Sequence, residues 1–268
     1  MRAFEKHEQD VANYINGSIP GLTADRPKSS TSYSDVFVTY ARTATKATKK
    51  QPAKKAITVK TWVEVKMNHT DNLMNPRFSF VNNAWKVGES YESSATSLLQ
   101  DYWNQNADAR EWIESMREWL KTKKSYKGDP NNFTLYSTLR DRKNDSNSVD
   151  LSLMKQFLAT RPNKNICTIP NVDIGNLVTL HYLKGKAAPA PYLSAGDDFY
   201  RFGNVNPFKI PNVPVFKGSN NITFRVGDRS GNYELQAEVK VKGKTMAASQ
   251  YSVVPNTKKK NPFKFMGI

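Results

Sequence analysis

Residues 56–67 read Ala-Ile-Thr-Val-Lys-Thr-Trp-Val-Glu-Val-Lys-Met. Side chains alternate across a strand, so Ile57, Val59, Thr61, Val63 and Val65 share one mostly apolar face while Glu64 and Lys66 emerge together from the other. Upstream, Asp35 opens a second run rich in β-branched and aromatic residues, Asp-Val-Phe-Val-Thr-Tyr, over 35–40. In an antiparallel hairpin, the register that matches apolar partners sets Val36 against Val63, Phe37 against Trp62, Val38 against Thr61 and Asp35 against Glu64. Two carboxylates and an ammonium then converge. Adjacent carboxylates repel and raise each other's pKa unless a cation lies between them. Mg²⁺ suits that place, with Mn²⁺ as a substitute, because it takes oxygen ligands and accepts one or two carboxylates together with substrate phosphate. Lys66 would orient an attacking water or offset charge developing on phosphorus. The chemistry expected is metal-dependent phosphodiester hydrolysis.

The elements that must hold these residues are legible in outline. Phe4, Val11 and Ile15 fall on one helical face over 2–16, Glu8 lies on that face, and Pro20 and Gly21 close the segment. The stretch 41–56 between the two strands contains no acid. Its Arg42, Lys46, Lys49, Lys50, Lys54 and Lys55, with neighbouring Lys60, read as a basic loop gripping DNA phosphates without regard to sequence. FSFVNNAWKV predicts a hairpin around Asn82-Asn83, and 91–122 a helical stretch broken near 104–108. Trp112 and Trp119 are seven apart, a helical spacing that assigns them to the core rather than to base stacking. A short helix is expected at 149–159 and a hairpin joining 222–226 to 233–241, with the region from 166 onward mostly β. Three segments result: a core over 1–125, a connector over 126–165, and a β-rich basic C-terminal region over 166–268, within the same domain or beside it.

Charge bounds the partners. The 268 residues carry 40 Lys and Arg against 24 Asp and Glu, a net +16 that points to polyanions. No apolar run reaches the ~18 residues of a membrane span, and the N-terminus lacks a signal-peptide core. Cys167 is the single cysteine, and His7, His69 and His181 are scattered, so a zinc box and an internal disulfide are excluded. The expectation is a soluble cytoplasmic protein without a membrane or nucleotide partner, since Gly243-Lys244-Thr245 lacks the first glycine of a phosphate loop. Arg77, amid Asn68, Asn72 and Asn75, and the Lys258, Lys259, Lys260 run are further candidate DNA contacts. His69, a lone loop histidine, receives no role. A second E-x-K, Glu238-Val-Lys240, lacks a carboxylate partner because its hairpin sets Asp228 near Glu234.

A helix, Ser34-Asp35 opening one strand, and Glu64-Val65-Lys66 on the next resemble the core of the PD-(D/E)xK, or restriction-endonuclease-like, nuclease superfamily. Ser34 stands where the motif has proline, and the basic loop between the strands is long. WVEVKMNHTDNLMNPRF also resembles uncharacterised nuclease-like proteins of large tailed phages. The resemblance covers about residues 1–122 and implies an α/β (α+β) fold with a mixed sheet flanked by helices. It implies catalytic roles for Asp35, Glu64 and Lys66, metal ligation by Asp35 and Glu64, and Glu8 as an accessory ligand from the first helix. The implied activity is Mg²⁺-dependent endonucleolytic cleavage of double-stranded DNA, in homing or attack on competing DNA inside a host cell, with a homodimer as the natural means of cutting both strands. A non-catalytic DNA-binding or virion-associated protein is the alternative, and ribonuclease or RNA binding a weaker third.

Overall fold

The computed structural model describes residues 2–27, 34–48, 52–137, 144–185, 188–218, 221–229, 232–241, 248–255 and 257–268. In chain order the elements are α1 (Ala3–Asn16), β1 (Leu22–Asp25), β2 (Val36–Arg42), β3 (Ile57–Lys66), β4 (Asn72–Met74), β5 (Phe78–Val81) and β6 (Ala84–Val87). There follow α2 (Ser94–Gln105), α3 (Ala107–Lys121), α4 (Leu151–Ala159), β7 (Asn165–Ile169), α5 (Ile174–Lys184), β8 (Tyr192–Ala195), β9 (Asp198–Arg201), β10 (Ile222–Arg229) and β11 (Asn232–Lys240). No described helix is long and apolar enough to cross a membrane.

The chain forms two compact units whose segments alternate along the sequence. One comprises residues 1–71, 175–218 and 241–268; the other comprises 72–174 and 219–240. Sequence boundaries at 125 and 165 therefore do not divide them: the 126–165 segment lies within the second unit, and 166–268 is shared.

The first unit is built on a five-stranded mixed sheet, order β1-β2-β3-β8-β9. β3 and β8 are parallel and the other neighbours antiparallel. The register between β2 and β3 is the one their apolar residues require, with Val36 opposite Val63, Phe37 opposite Trp62 and Val38 opposite Thr61. Along one face, Val36, Val38, Val63, Val65 and Tyr192 form a single buried core with Val11, Ala12 and Ile15 of α1 and with Phe199, Phe208 and Phe263. Val11 and Ile15 of the predicted α1 face thus meet the sheet while Phe4, at the helix start, is exposed, and Asn16 secures the sheet's edge. Its side-chain amide donates to the Ala24 carbonyl and accepts from the Ala24 N–H, both at 2.6 Å, so edge strand β1 has backbone groups satisfied by a side chain. Gly21 turns from α1 into β1 at φ +79°, its carbonyl accepting from the Ala41 N–H at 2.9 Å.

α5 corrects the β reading of the C-terminal region. Ile174, Val178 and Thr179 carry strand-like side chains, yet Ile174, Leu177, Val178 and Tyr182 are buried at helical spacing. The described part of the 41–56 segment is also more ordered than a loop. Thr45 and Lys54 exchange backbone hydrogen bonds at 2.9 and 3.0 Å, extending the β2–β3 hairpin past Arg42 and Ile57.

The second unit carries a four-stranded sheet, order β4-β11-β10-β7, and the β5–β6 hairpin. The predicted Asn82-Asn83 turn is present, with φ of 53° and 56°, as a tight primed turn requires. The helical stretch breaks at Asn106, whose side chain caps α3 by accepting from the Ala109 N–H at 2.9 Å. Trp112 is buried as predicted, Trp119 is only half-buried, and Trp103 is buried too, stacked on Trp85 at 4.1 Å and against Phe224 at 4.0 Å.

Candidate active site

Asp35, one residue before β2, lies beside the segment of β3 that carries Glu64. Its Oδ2 accepts from the Val65 N–H at 2.8 Å, which fixes the carboxyl against the strand next to Glu64. Glu64 is 3% exposed, on the face opposite Val63 and Val65. Its Oε1 receives the Lys66 ammonium at 2.7 Å and the Tyr182 hydroxyl at 3.0 Å. Tyr182 comes from α5, so the two faces of the sheet divide the work: α1 builds the core below Val63 and Val65, and α5 reaches Glu64 on the other side. The alternation of β3 delivers this arrangement, because any one-residue slip would turn Glu64 and Lys66 into the apolar core.

The electrostatics match a site short of positive charge. Burial and the neighbouring Glu64 carboxylate push Asp35 up from the ordinary 3.8 to about 7, against the pull of Lys66 and the Val65 N–H. Burial disfavours the charge on Lys66, but Glu64 and Asp35 outweigh it and hold the ammonium protonated well above its usual range. Tyr182 is fully buried, and burial together with Glu64 raises its pKa, so it acts as a neutral donor. The donor set is two carboxylates, hard oxygen ligands, one of them held above its normal pKa chiefly by burial and then by its neighbour. Carboxylate oxygens are the donors that hard divalent cations take.

Glu8 is engaged elsewhere. Its Oε2 accepts from the Arg26 Nε at 2.6 Å, although its charge still contributes to raising Asp35. Three further residues assemble in the same unit, none of them given a role from sequence. His69, Asp197 and Asp198 have ligand atoms within 4.8 Å of one another and could hold a metal ion. Lys259 already reaches both acids, at 3.1 Å from Asp197 and 2.6 Å from Asp198. Asp198 also accepts from the Ser249 N–H at 2.8 Å, and His69 Nε2 lies 2.6 Å from the Ala195 carbonyl, where it must carry a proton to bond. These contacts tie β8, β9 and the 248–268 segment to the loop after β3.

The predicted phosphate contacts separate. Lys46, Lys54, Lys55 and Lys60 are exposed on the extended β2–β3 hairpin, as is Lys258 elsewhere in the same unit. Arg42 instead donates to the Ile268 carbonyl at 3.1 Å and Lys259 is in the Asp198 network, while Lys260 is exposed and sits over Phe265 at 5.7 Å. Lys49 and Lys50 lie outside the described residues. Arg77 belongs to the second unit and pairs with Glu234 at 2.7 Å. The second E-x-K also differs from the first: Glu238 binds Arg225 at 3.0 Å, and Asp228 lies opposite Tyr233.

Comparison with protein-family models, with curated proteins and with solved structures finds no match.

Proposed function

We propose that the protein is a metal-dependent DNA endonuclease of the PD-(D/E)xK type. The observation that carries this reading is the convergence of Asp35, Glu64 and Lys66 at adjacent strands, with Asp35 pinned to Val65 and Glu64 gripped by Lys66. A mixed sheet with α1 and α5 on opposite faces supports it. Asp35 and Glu64 would hold the Mg²⁺ or Mn²⁺ ion, with Glu8 in reserve behind Arg26. When bound, such an ion supplies Lewis-acid polarisation of a phosphoryl oxygen and lowers the pKa of a coordinated water.

The chain's own groups do the rest. Lys66 is held as an ammonium, so at neutral pH it serves as a charge, orienting a water's lone pair and offsetting negative charge gathering on phosphorus. Tyr182 fixes one Glu64 oxygen and so fixes the direction in which the carboxylate offers its electrons. The exposed lysines of the hairpin attract the DNA backbone. A homodimer would cut both strands.

The alternative, a DNA-binding protein without catalysis, draws on the closed Lys66–Glu64 ion pair and the +16 charge. Supercoiled plasmid incubated with the protein in Mg²⁺, in EDTA, and in Mg²⁺ with Lys66→Ala separates the two. Nicking by wild type with metal alone supports the nuclease. Intact but retarded plasmid in every lane supports the binder.

A further inference from the structure

Past Arg42 and Ile57 the two strands of the β2–β3 hairpin run on into solvent without losing their pairing. The Thr45–Lys54 pair lies three residues beyond the Arg42–Ile57 pair on both strands, so the register is unbroken and side chains keep alternating between the two faces. Lys54, opposite Thr45, shares one face with Lys60, and Lys46 and Lys55, set against Ala53 and Ala44, occupy the other. Residues 43–48 and 52–56 are all exposed, and their apolar groups are no larger than Ala and Pro, so nothing in this ribbon calls for a core of its own. No acid stands between Asp35 and Glu64. Arg42 braces the base, donating to the Lys55 carbonyl at 3.4 Å as well as to that of Ile268. A thin ribbon with cations on both faces results.

We propose that this ribbon lies in the major groove of duplex DNA and grips the phosphates of both strands at once. A strip of cations on one face would suit a single backbone; cations on both faces suit a cleft walled by phosphate on either side. The major groove, about 12 Å wide, admits a two-stranded β-ribbon, whereas the minor groove, about 6 Å wide, does not. The grip is independent of sequence, because no Arg, Asn or Gln stands among residues 43–48 and 52–56 to read a base edge. A single strand offers one backbone and meets only one face. The inference rests on the nuclease reading for its purpose, and on the ribbon alone for binding.

The test measures binding in EDTA, where no cleavage is needed. Anisotropy titrations would use a fluorescein-labelled, A·T-rich duplex of about 24 base pairs and one of its strands alone, against wild type and the triple variant Lys46→Gln, Lys54→Gln, Lys55→Gln. The duplex is titrated again after saturation with methyl green, which occupies the major groove, and after saturation with netropsin, which occupies the minor. Both are cations, so comparing them sets their charge aside. The ribbon predicts that wild type binds duplex about tenfold more tightly than single strand and that the triple variant loses this preference. It also predicts that methyl green weakens wild-type binding about tenfold more than netropsin does. Netropsin weakening binding as much as methyl green, equal wild-type affinity for duplex and single strand, or a duplex preference that survives in the triple variant overturns the proposal. Wild-type plasmid cleavage in Mg²⁺, run in parallel, reports separately on the nuclease reading.

Discussion

Asp35 gives the sharpest handle at the scale of single residues. Its folded-state pKa lies near 7 and its unfolded value near 3.8, so across that window the folded protein holds a proton that the unfolded chain has released. Stability conferred by the protonated form is complete below about pH 4 and is lost as pH rises through about 7. In EDTA, Asp35→Asn should therefore raise stability at pH 8 by up to about 4 kcal/mol, the window spanning roughly three pH units at about 1.4 kcal/mol each, and change little at pH 4. Thermal melts at the two pH values check this. The same proton competes with a metal, so Mg²⁺ affinity read by calorimetry should fall as pH drops below about 7. Tyr182→Phe removes the hydroxyl bond to Glu64 and should lower kcat about tenfold with KM for DNA unchanged, the split expected of a positioning residue. A merely structural role would lower stability and leave kcat per folded molecule intact.

At the scale of elements, the β2–β3 hairpin was legible because both strands alternate strictly and only one register buries the right residues. The broken helix was legible for a similar reason: its apolar period stops at Asn106, a residue that caps. α5 was not. It is separated from β3 by residues 72–174, which fold into the other unit, and its β-branched side chains mimic a strand when read locally. Tyr182 was missed with it, although a hydroxyl on an apolar helix signals a buried polar partner. The Asp198 network was hidden because its members, His69, Asp198, Ser249 and Lys259, meet only in the tertiary fold. The turn that leads from α1 into the sheet gives the test at this scale. Gly21→Ala should destabilise by about 2 kcal/mol or more in urea unfolding. Its positive φ is strained for alanine, and the new Cβ would sit 2.3 Å from the Ala41 carbonyl oxygen.

For the whole molecule, the +16 charge sets the expected response to salt. Each phosphate neutralised on duplex DNA contributes about −0.9 to the slope of log affinity against log salt. Replacing the exposed Lys46, Lys54 and Lys55 together with glutamine should flatten that slope by up to about 2.7, three contacts at that value, while leaving the melting temperature unchanged. The division of the sequence into consecutive segments fails at this scale, because chain order and spatial order differ. The 248–268 segment closes the unit begun by α1, with Asn261 bonded to Ser18 at 2.6 Å.

Hydrolysis of DNA at Asp35, Glu64 and Lys66 is tested most directly by comparing cleavage of supercoiled plasmid in Mg²⁺ by wild type, Asp35→Asn, Glu64→Gln and Glu238→Gln, each confirmed folded by its melt. Wild type and Glu238→Gln should nick the plasmid, and the other two should lose at least about a hundredfold in rate, the scale on which an electrostatic catalytic group acts. Equal cleavage by Glu64→Gln, or none by wild type on plasmid and single-stranded DNA alike, would contradict the assignment.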